Sequence, residues 1–286
     1  MFAAQLKLML NKKSFQISFT IMMLAACGLP AYYAVSNLMA GNDISHVVSK
    51  QYAYIFNANS PIAEYISYLI PIIAMLPFST SFMTESKLNY CPLMISRGGI
   101  KNYYFAKALC CGLGGFAVFF IPAVINIIIN QLFLPFSNVV VFYQSFADML
   151  FHYYNPARSL LKFNPEFTMI TLFVEHPQIY NLMMALIMGF LCAVFALVAY
   201  AVSFCLKKYA YLSALPMMMV ILLGEKYRAL CLSRVIPIEK FINLSMTDYA
   251  ITESMEGKSY LLFFAICAVL IVGSLFVIYK KARVHI

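Results

Sequence analysis

Six long stretches without a charged residue constrain the fold of this chain more than any other feature. A charged side chain at the centre of a bilayer costs about 2.5 to 3.5 kcal/mol on insertion scales. A helix needs about 20 largely apolar residues to cross the hydrocarbon layer. Only 11% of the residues are charged, against roughly 25% in soluble domains. The chain is therefore predicted to be an all-α integral membrane protein with six transmembrane helices.

The stretches divide the chain into alternating membrane and aqueous segments. Residues 1–13 are predicted to form a cytoplasmic interfacial helix, since apolar residues recur there at helical spacing. The six spans are predicted at residues 15–38, 62–84, 108–134, 182–206, 209–224 and 259–280. The fifth is the shortest and contains Pro216, so it is expected to be less tilted, kinked or partly re-entrant.

The remaining segments connect these spans on the two sides of the membrane. Residues 85–107 are predicted to form a cytoplasmic loop. Residues 135–180 and 225–258 are predicted to be extracytoplasmic. The first outer segment is too rich in Phe and Tyr for a disordered loop, and both outer segments are expected to contain helices.

The distribution of basic residues predicts the orientation, with both termini cytoplasmic. Glu85 is then the only acid on the inner side. Bases placed on that side are Lys7, Lys12, Lys13, Lys87, Arg97, Lys101, Lys107, Lys207, Lys208, Lys280, Lys281 and Arg283. Anionic lipid accounts for this basic face and for the net charge of +9 better than a nucleic-acid partner does.

Residue patterns typical of enzymes and metal sites are missing from the sequence. The four His show no metal-ligand spacing, and the eight Cys form no CxxC pair. Gly257 to Ser259 resemble the end of a phosphate-binding loop, but Thr252 stands where that motif requires Gly. We therefore assign no catalytic, metal-binding or cofactor-binding residue, and expect a transport protein rather than an enzyme.

Energy for uphill transport would have to come from a partner. No predicted span carries a Lys or a carboxylate at mid-membrane, which disfavours proton-coupled or sodium-coupled transport.

The third span opens with Cys110, Cys111, Gly112, Gly114 and Gly115, small residues that permit close helix packing. Packing within the subunit, a dimer seam and a hinge all remain open for this strip.

The loop at 85–107 is where such a partner would bind. Leu93, Met94 and Ile95 make an apolar knob, and Gly98 and Gly99 are predicted to break the helix after it. A short amphipathic helix held beside the membrane fits a groove on another protein.

This loop resembles the cytoplasmic segment of permeases of the type-two ABC exporter family, also called type V exporters. The resemblance consists of an acid closing the second span, Glu85, then an apolar stretch, Ser96-Arg97, the basic Lys101, and Ala106-Lys107 opening the third span. The interfacial N-terminal helix, the six spans and the long outer segment before the last span are similar to that family as well.

The resemblance implies a permease subunit that pairs with a second copy or a sister permease. Two separate ABC ATPase subunits would bind ATP and Mg, and no cofactor would be held by this chain. The residues implied as ATPase contacts are Glu85, Met94, Ile95, Arg97, Gly98 and Lys101, with Lys7, Lys12 and Lys13 as secondary contacts. The alternative role of the bases among them is only to fix the topology.

Two classes of function follow from these observations. The first is an exporter in a bacterial plasma membrane, which moves a hydrophobic or amphipathic molecule such as a peptide or a lipid-like compound. The second is a membrane immunity or scaffold protein that sequesters a membrane-active peptide without ATP-driven transport.

Overall fold

The computed structural model describes residues 1–40, 53–56, 63–87, 90–134, 172, 176–204, 206, 210–232, 246–247, 249 and 260–284. Most of these residues are helical, and they contain no β-strand. The all-α prediction is confirmed for this part of the chain. Most of the two predicted extracytoplasmic segments, 135–180 and 225–258, lies outside the described residues.

Helices within the described residues are numbered in chain order. They are α1 (Phe2–Leu10), α2 (Lys13–Ala40), α3 (Ala63–Met75), α4 (Ser81–Lys87), α5 (Tyr90–Gly98), α6 (Ile100–Phe133), α7 (Pro177–Ser203), α8 (Leu215–Leu232) and α9 (Tyr260–Val284). A 3-10 helix at Ala210–Ala214 directly precedes α8. Pro216 therefore lies in the first turn of α8, where a missing N–H is tolerated.

Four of these helices are long and apolar enough to cross a membrane. Their spanning portions are Lys13–Met39, Ile100–Phe133, Pro177–Ser203 and Tyr260–Ala282. They correspond to the first, third, fourth and sixth predicted spans. The fifth prediction coincides with a shorter apolar helix at Leu212–Gly224.

The second predicted span, residues 62–84, is two helices rather than one. Helix α3 has 13 residues and ends at Met75. The residue before a proline avoids the helical conformation, so Leu76 and Pro77 end the helix. The chain then turns and resumes as α4 at Ser81. We call residues 76–80 the α3–α4 turn; Phe78 and Ser79 within it are buried.

The α6–α7 pair forms the centre of the bundle. A methyl group at Gly115 of α6 would lie 2.7 Å from the carbonyl oxygen of Cys192 and 2.8 Å from Cβ of Ala196, both on α7. A methyl group at Gly189 of α7 would lie 2.9 Å from the ring of Phe116. Each helix thus supplies a glycine where the other approaches closely.

Packing within the chain also explains the neighbouring glycine of the small-residue strip. A methyl group at Gly114 would lie 2.7 Å from Sδ of Met9 on α1 and 3.0 Å from Cβ of Pro77. Helix α1 therefore packs against α6 beside the α3–α4 turn, while its position at the cytoplasmic membrane surface remains a prediction. Its exposed side carries Leu8 and Leu10.

A group of buried amides joins α2, residues 53–56 and α6. Pro30 of α2 has no N–H, so the carbonyl of Ala26 loses its helical donor. Asn126 Nδ2 donates to that carbonyl at 2.9 Å, and its Oδ1 accepts from the backbone N–H of Ile55 at 3.1 Å. Asn130 Nδ2 donates to the carbonyl of Ala53 at 2.6 Å. We call Asn126 and Asn130 the amide cluster.

Candidate functional site

The candidate site is the segment that joins α4, α5 and α6. Helix α5 ends at Gly98, and Gly99 has φ +76° and ψ 147° before α6 begins at Ile100. Only glycine adopts this conformation without strain. The predicted helix break at Gly98 and Gly99 is confirmed, whereas α6 starts eight residues before the predicted span at 108–134. Lys101 and Lys107 therefore belong to the helix and not to a loop.

A buried ion pair fixes α4 against α6. Lys107 Nζ lies 2.6 Å from Oε1 of Glu85, and the side chain of Lys107 is fully buried while that of Glu85 is 18% exposed. Tyr103 OH donates to the other carboxylate oxygen at 2.5 Å. Lys107 Nζ also donates to Tyr103 OH at 3.2 Å. We call Glu85, Tyr103 and Lys107 the ionic cluster.

Helical periodicity and the lone inner acid explain why this cluster forms. Tyr103 and Lys107 are four residues apart, so they lie on the same face of α6. The short helix α4 brings Glu85 to that face. Burying a lysine is costly unless its charge is paired and hydrogen-bonded, and Glu85 supplies both requirements. A fully buried Lys in a helix of spanning length was not predicted, since the sequence placed Lys107 at the membrane boundary.

Lys12 borders the ionic cluster from the turn between α1 and α2. Its Nζ lies 3.5 Å from Thr80 Oγ1 and 5.8 Å from the centre of the Phe78 ring. Lys107 Nζ lies 5.3 Å from the centre of the same ring. Burial lowers the pKa of Lys12, and the positive charge of Lys107 lowers it further. Lys7 and Lys13, in contrast, are exposed.

The knob on α5 divides between two faces of the helix. Leu93 is 59% exposed, whereas Met94 and Ile95 are half-buried and pack against the core. Cys91 Sγ lies 3.5 Å from Tyr103 OH, so α5 also touches the ionic cluster. Leu93 was part of the predicted knob but not of the predicted contact set. Its exposure follows from the orientation of α5, which local sequence does not determine.

The remaining predicted contacts surround this helix. Arg97 and Gly98 lie in the last turn of α5, and Lys101 is exposed in the first turn of α6. Met94 and Ile95 lie on α5, and Glu85 lies on α4, where it contacts Tyr103 and Lys107. Their side chains are partly or mostly covered by the chain itself. The predicted role of these residues as ATPase contacts remains a prediction.

Comparison of the chain with protein-family models, with curated proteins and with solved structures gives no match. Within the described ranges, no three His, Cys, Asp or Glu side chains are arranged to hold a metal ion. Four helices of spanning length and composition indicate a membrane protein.

Proposed function

We propose that the chain is the permease subunit of an ABC-type exporter and that α5 is the segment on which a separate ATPase subunit acts. The observation that carries this proposal is the construction of α5. It is a nine-residue helix that ends at a glycine break, presents an exposed leucine on one side and packs Met94 and Ile95 on the other. Such a helix fits an apolar groove on a partner.

The contacts of α5 give the force a route into the bundle. A displacement of α5 acts on α6 through Cys91 and Tyr103, and on α4 through the pair of Glu85 with Lys107. Helix α6 is packed closely against α7 at Gly115, so a movement of α6 carries α7 with it. Nucleotide binding to the ATPases would thereby bias two arrangements of the helices.

The assembled transporter would contain two permease subunits, either two copies of this chain or this chain with a sister permease. Two ATPase subunits would bind ATP and Mg. The cargo would be hydrophobic or amphipathic, a peptide or a lipid-like compound, because the long helices expose many apolar side chains. The membrane would be a bacterial plasma membrane with both termini on the cytoplasmic side.

Co-expression with a candidate ABC ATPase tests the proposal. The tagged chain is expected to copurify with the ATPase and to change its hydrolysis rate. Leu93→Asp is expected to reduce copurification by about tenfold or more, because a charge replaces an apolar anchor at the contact. The matched control is Ser86→Asp, which adds the same charge at an exposed position of α4.

Copurification that survives Leu93→Asp would contradict α5 as the contact. A chain that protects cells from a membrane-active peptide without any ATPase would instead support the immunity or scaffold function. Both variants should retain the thermal stability of the parent chain, since both positions are exposed.

A further inference from the structure

Lys12 and Lys107 bring two ammonium groups together with one carboxylate, that of Glu85. Lys12 and Lys107 approach the same Phe78 ring, at 5.8 and 5.3 Å. Glu85 is the only acid that the predicted topology places on this side of the membrane, and it forms its ion pair with Lys107. In the part of the chain that the structure describes, the hydrogen-bonding partner of the Lys12 ammonium is the neutral hydroxyl of Thr80.

Hydroxyl groups without hydrogen-bond partners occur beside both residues of this contact. Ser81, next to Thr80, is 3% exposed, and its Oγ has no hydrogen-bond partner among the described residues. Ser14, two residues after Lys12, likewise buries an Oγ without a described partner. Buried hydroxyls are normally hydrogen-bonded, and an oxyanion accepts from several such donors at once.

The start of α2 adds to the positive potential at this place. Helix α2 begins at Lys13 and has no acidic residue in its first turn. Cations at a helix N-terminus are unfavourable beside the positive end of the helix dipole unless an anion is present. The first-turn amides of a helix lack intrahelical acceptors, and phosphate groups bind such amides.

The apolar residues around Lys12 indicate what carries the anion. Leu8 and Leu10 precede it with exposures of 49% and 47%, and Ile17 follows it at 56%. In a membrane protein these side chains face acyl chains. A ligand that reaches Lys12 beside them therefore combines a negative headgroup with a hydrocarbon tail.

We propose that Lys12 binds the phosphate of an anionic glycerophospholipid from the leaflet on its side, with the hydroxyl of Thr80 beside it. This goes beyond the proposed transport function, and it requires only that α1 and α2 lie at the membrane. Binding places the lipid against the α3–α4 turn and the ionic cluster. The permease would thus be held in register with the bilayer by a specific lipid.

Native mass spectrometry of the purified full chain, delipidated in detergent and titrated with phosphatidylglycerol, tests the proposal. One phosphatidylglycerol is expected to bind in 0.5 M ammonium acetate, where contacts between exposed charges are largely screened. Lys12→Gln should weaken this binding by about tenfold or more, as expected for loss of a charge-assisted contact. Lys12→Arg should restore it to within about threefold.

The matched control is Lys13→Gln, which removes an exposed charge at the next position and should change the affinity by less than about twofold in high salt. Inorganic phosphate at a concentration of about 10 mM should not displace the lipid, because it lacks the acyl chains that contribute to binding. Equal losses for Lys12→Gln and Lys13→Gln, or displacement by phosphate alone, would overturn the proposal. Leu93→Asp should leave phosphatidylglycerol binding unchanged, so lipid binding and ATPase copurification test the two proposals through different residues.

Discussion

The two ends of α6 solve the same problem in different ways. At one end, the ionic cluster joins α4 to α6 with a carboxylate, an ammonium and a phenol. At the other end, the amide cluster joins α2 and residues 53–56 to α6 with neutral amides that bind mainly backbone groups. Both are buried and both connect segments that are distant in sequence.

Because of this difference, we expect the amide cluster to hold its segments in fixed positions and the ionic cluster to be the one that can respond to a partner. Amides that bind backbone groups hold two segments in one register, because the backbone groups that they bind are themselves fixed in place. Separating a buried ion pair costs much more free energy than separating neutral amides, since an unpaired buried charge is costly. The ionic cluster is also the end that touches α5. Under the proposed function, a force applied at α5 would act first on the ionic cluster, whose disruption costs the most free energy.

Removal of Glu85 tests the comparison with the largest expected effect. Glu85→Gln leaves the Lys107 ammonium buried without its carboxylate, and should lower the free energy of unfolding by about 3 to 5 kcal/mol. Denaturant titration in detergent micelles measures the change. The double variant with Glu85→Leu and Lys107→Met should recover most of the loss, because it removes both charges. A single variant as stable as the parent would refute the cost assigned to the buried charge.

The amide cluster should show a smaller loss. Asn126→Leu removes the donor to Ala26 and the acceptor for Ile55, and should cost about 2 to 3 kcal/mol in the same titration. Asn102→Leu, at an exposed position on the same helix, should change stability by less than about 0.5 kcal/mol. If Asn126→Leu costs as much as Glu85→Gln, the contrast between the two ends fails.

The contact of α6 with α7 at Gly115, which lies between the two clusters, provides a third test. Gly115→Ala should cost about 2 kcal/mol, because the new methyl group would overlap Cys192 and Ala196 of α7. Gly112→Ala on the same helix meets its nearest heavy atom only at 4.0 Å and should be neutral or slightly stabilising. Equal effects of the two substitutions in the unfolding titration would show that α6 and α7 do not meet at Gly115.

Loss of the phenol should have the smallest effect. Tyr103→Phe keeps the ring but removes the hydroxyl shared by Glu85 and Lys107, and should cost about 1 to 1.5 kcal/mol. The control is Tyr104→Phe, one position along α6, where the centre of the ring lies 5.5 Å from the centre of the Phe204 ring. A larger loss than that of Glu85→Gln would mean that the hydroxyl, and not the carboxylate, is the main partner of Lys107.

The sequence predicted those features that depend on composition or local conformation. Uninterrupted apolar stretches predicted the four long helices, and Gly98 with Gly99 predicted the break before α6. The second span was predicted as one helix because its hydropathy is continuous, although Pro77 divides it. Proline tolerates several outcomes in an apolar stretch, so hydropathy alone does not resolve them.

Pairing of distant side chains was beyond the sequence analysis. Glu85 and Lys107 were predicted at the two ends of the same cytoplasmic segment, 85–107, and their contact depends on how α4 folds back onto α6. Glu85 is the only acid among many bases on the predicted inner side, which favours an ion pair but does not indicate which base forms it. The outward position of Leu93 depends in the same way on the rotation of α5 about its axis.

The length of α6 has a mechanical consequence. Its 34 residues form one continuous helix that starts directly after Gly99, and at 1.5 Å per residue such a helix is about 51 Å long. If the amide cluster holds its end of the helix in place, a pivot of roughly 10° there displaces the start of α6, about 39 Å away, by about 7 Å. Under the proposed function, a stroke applied at α5 would therefore act on α6 through an arm that is longer than the hydrocarbon layer is thick.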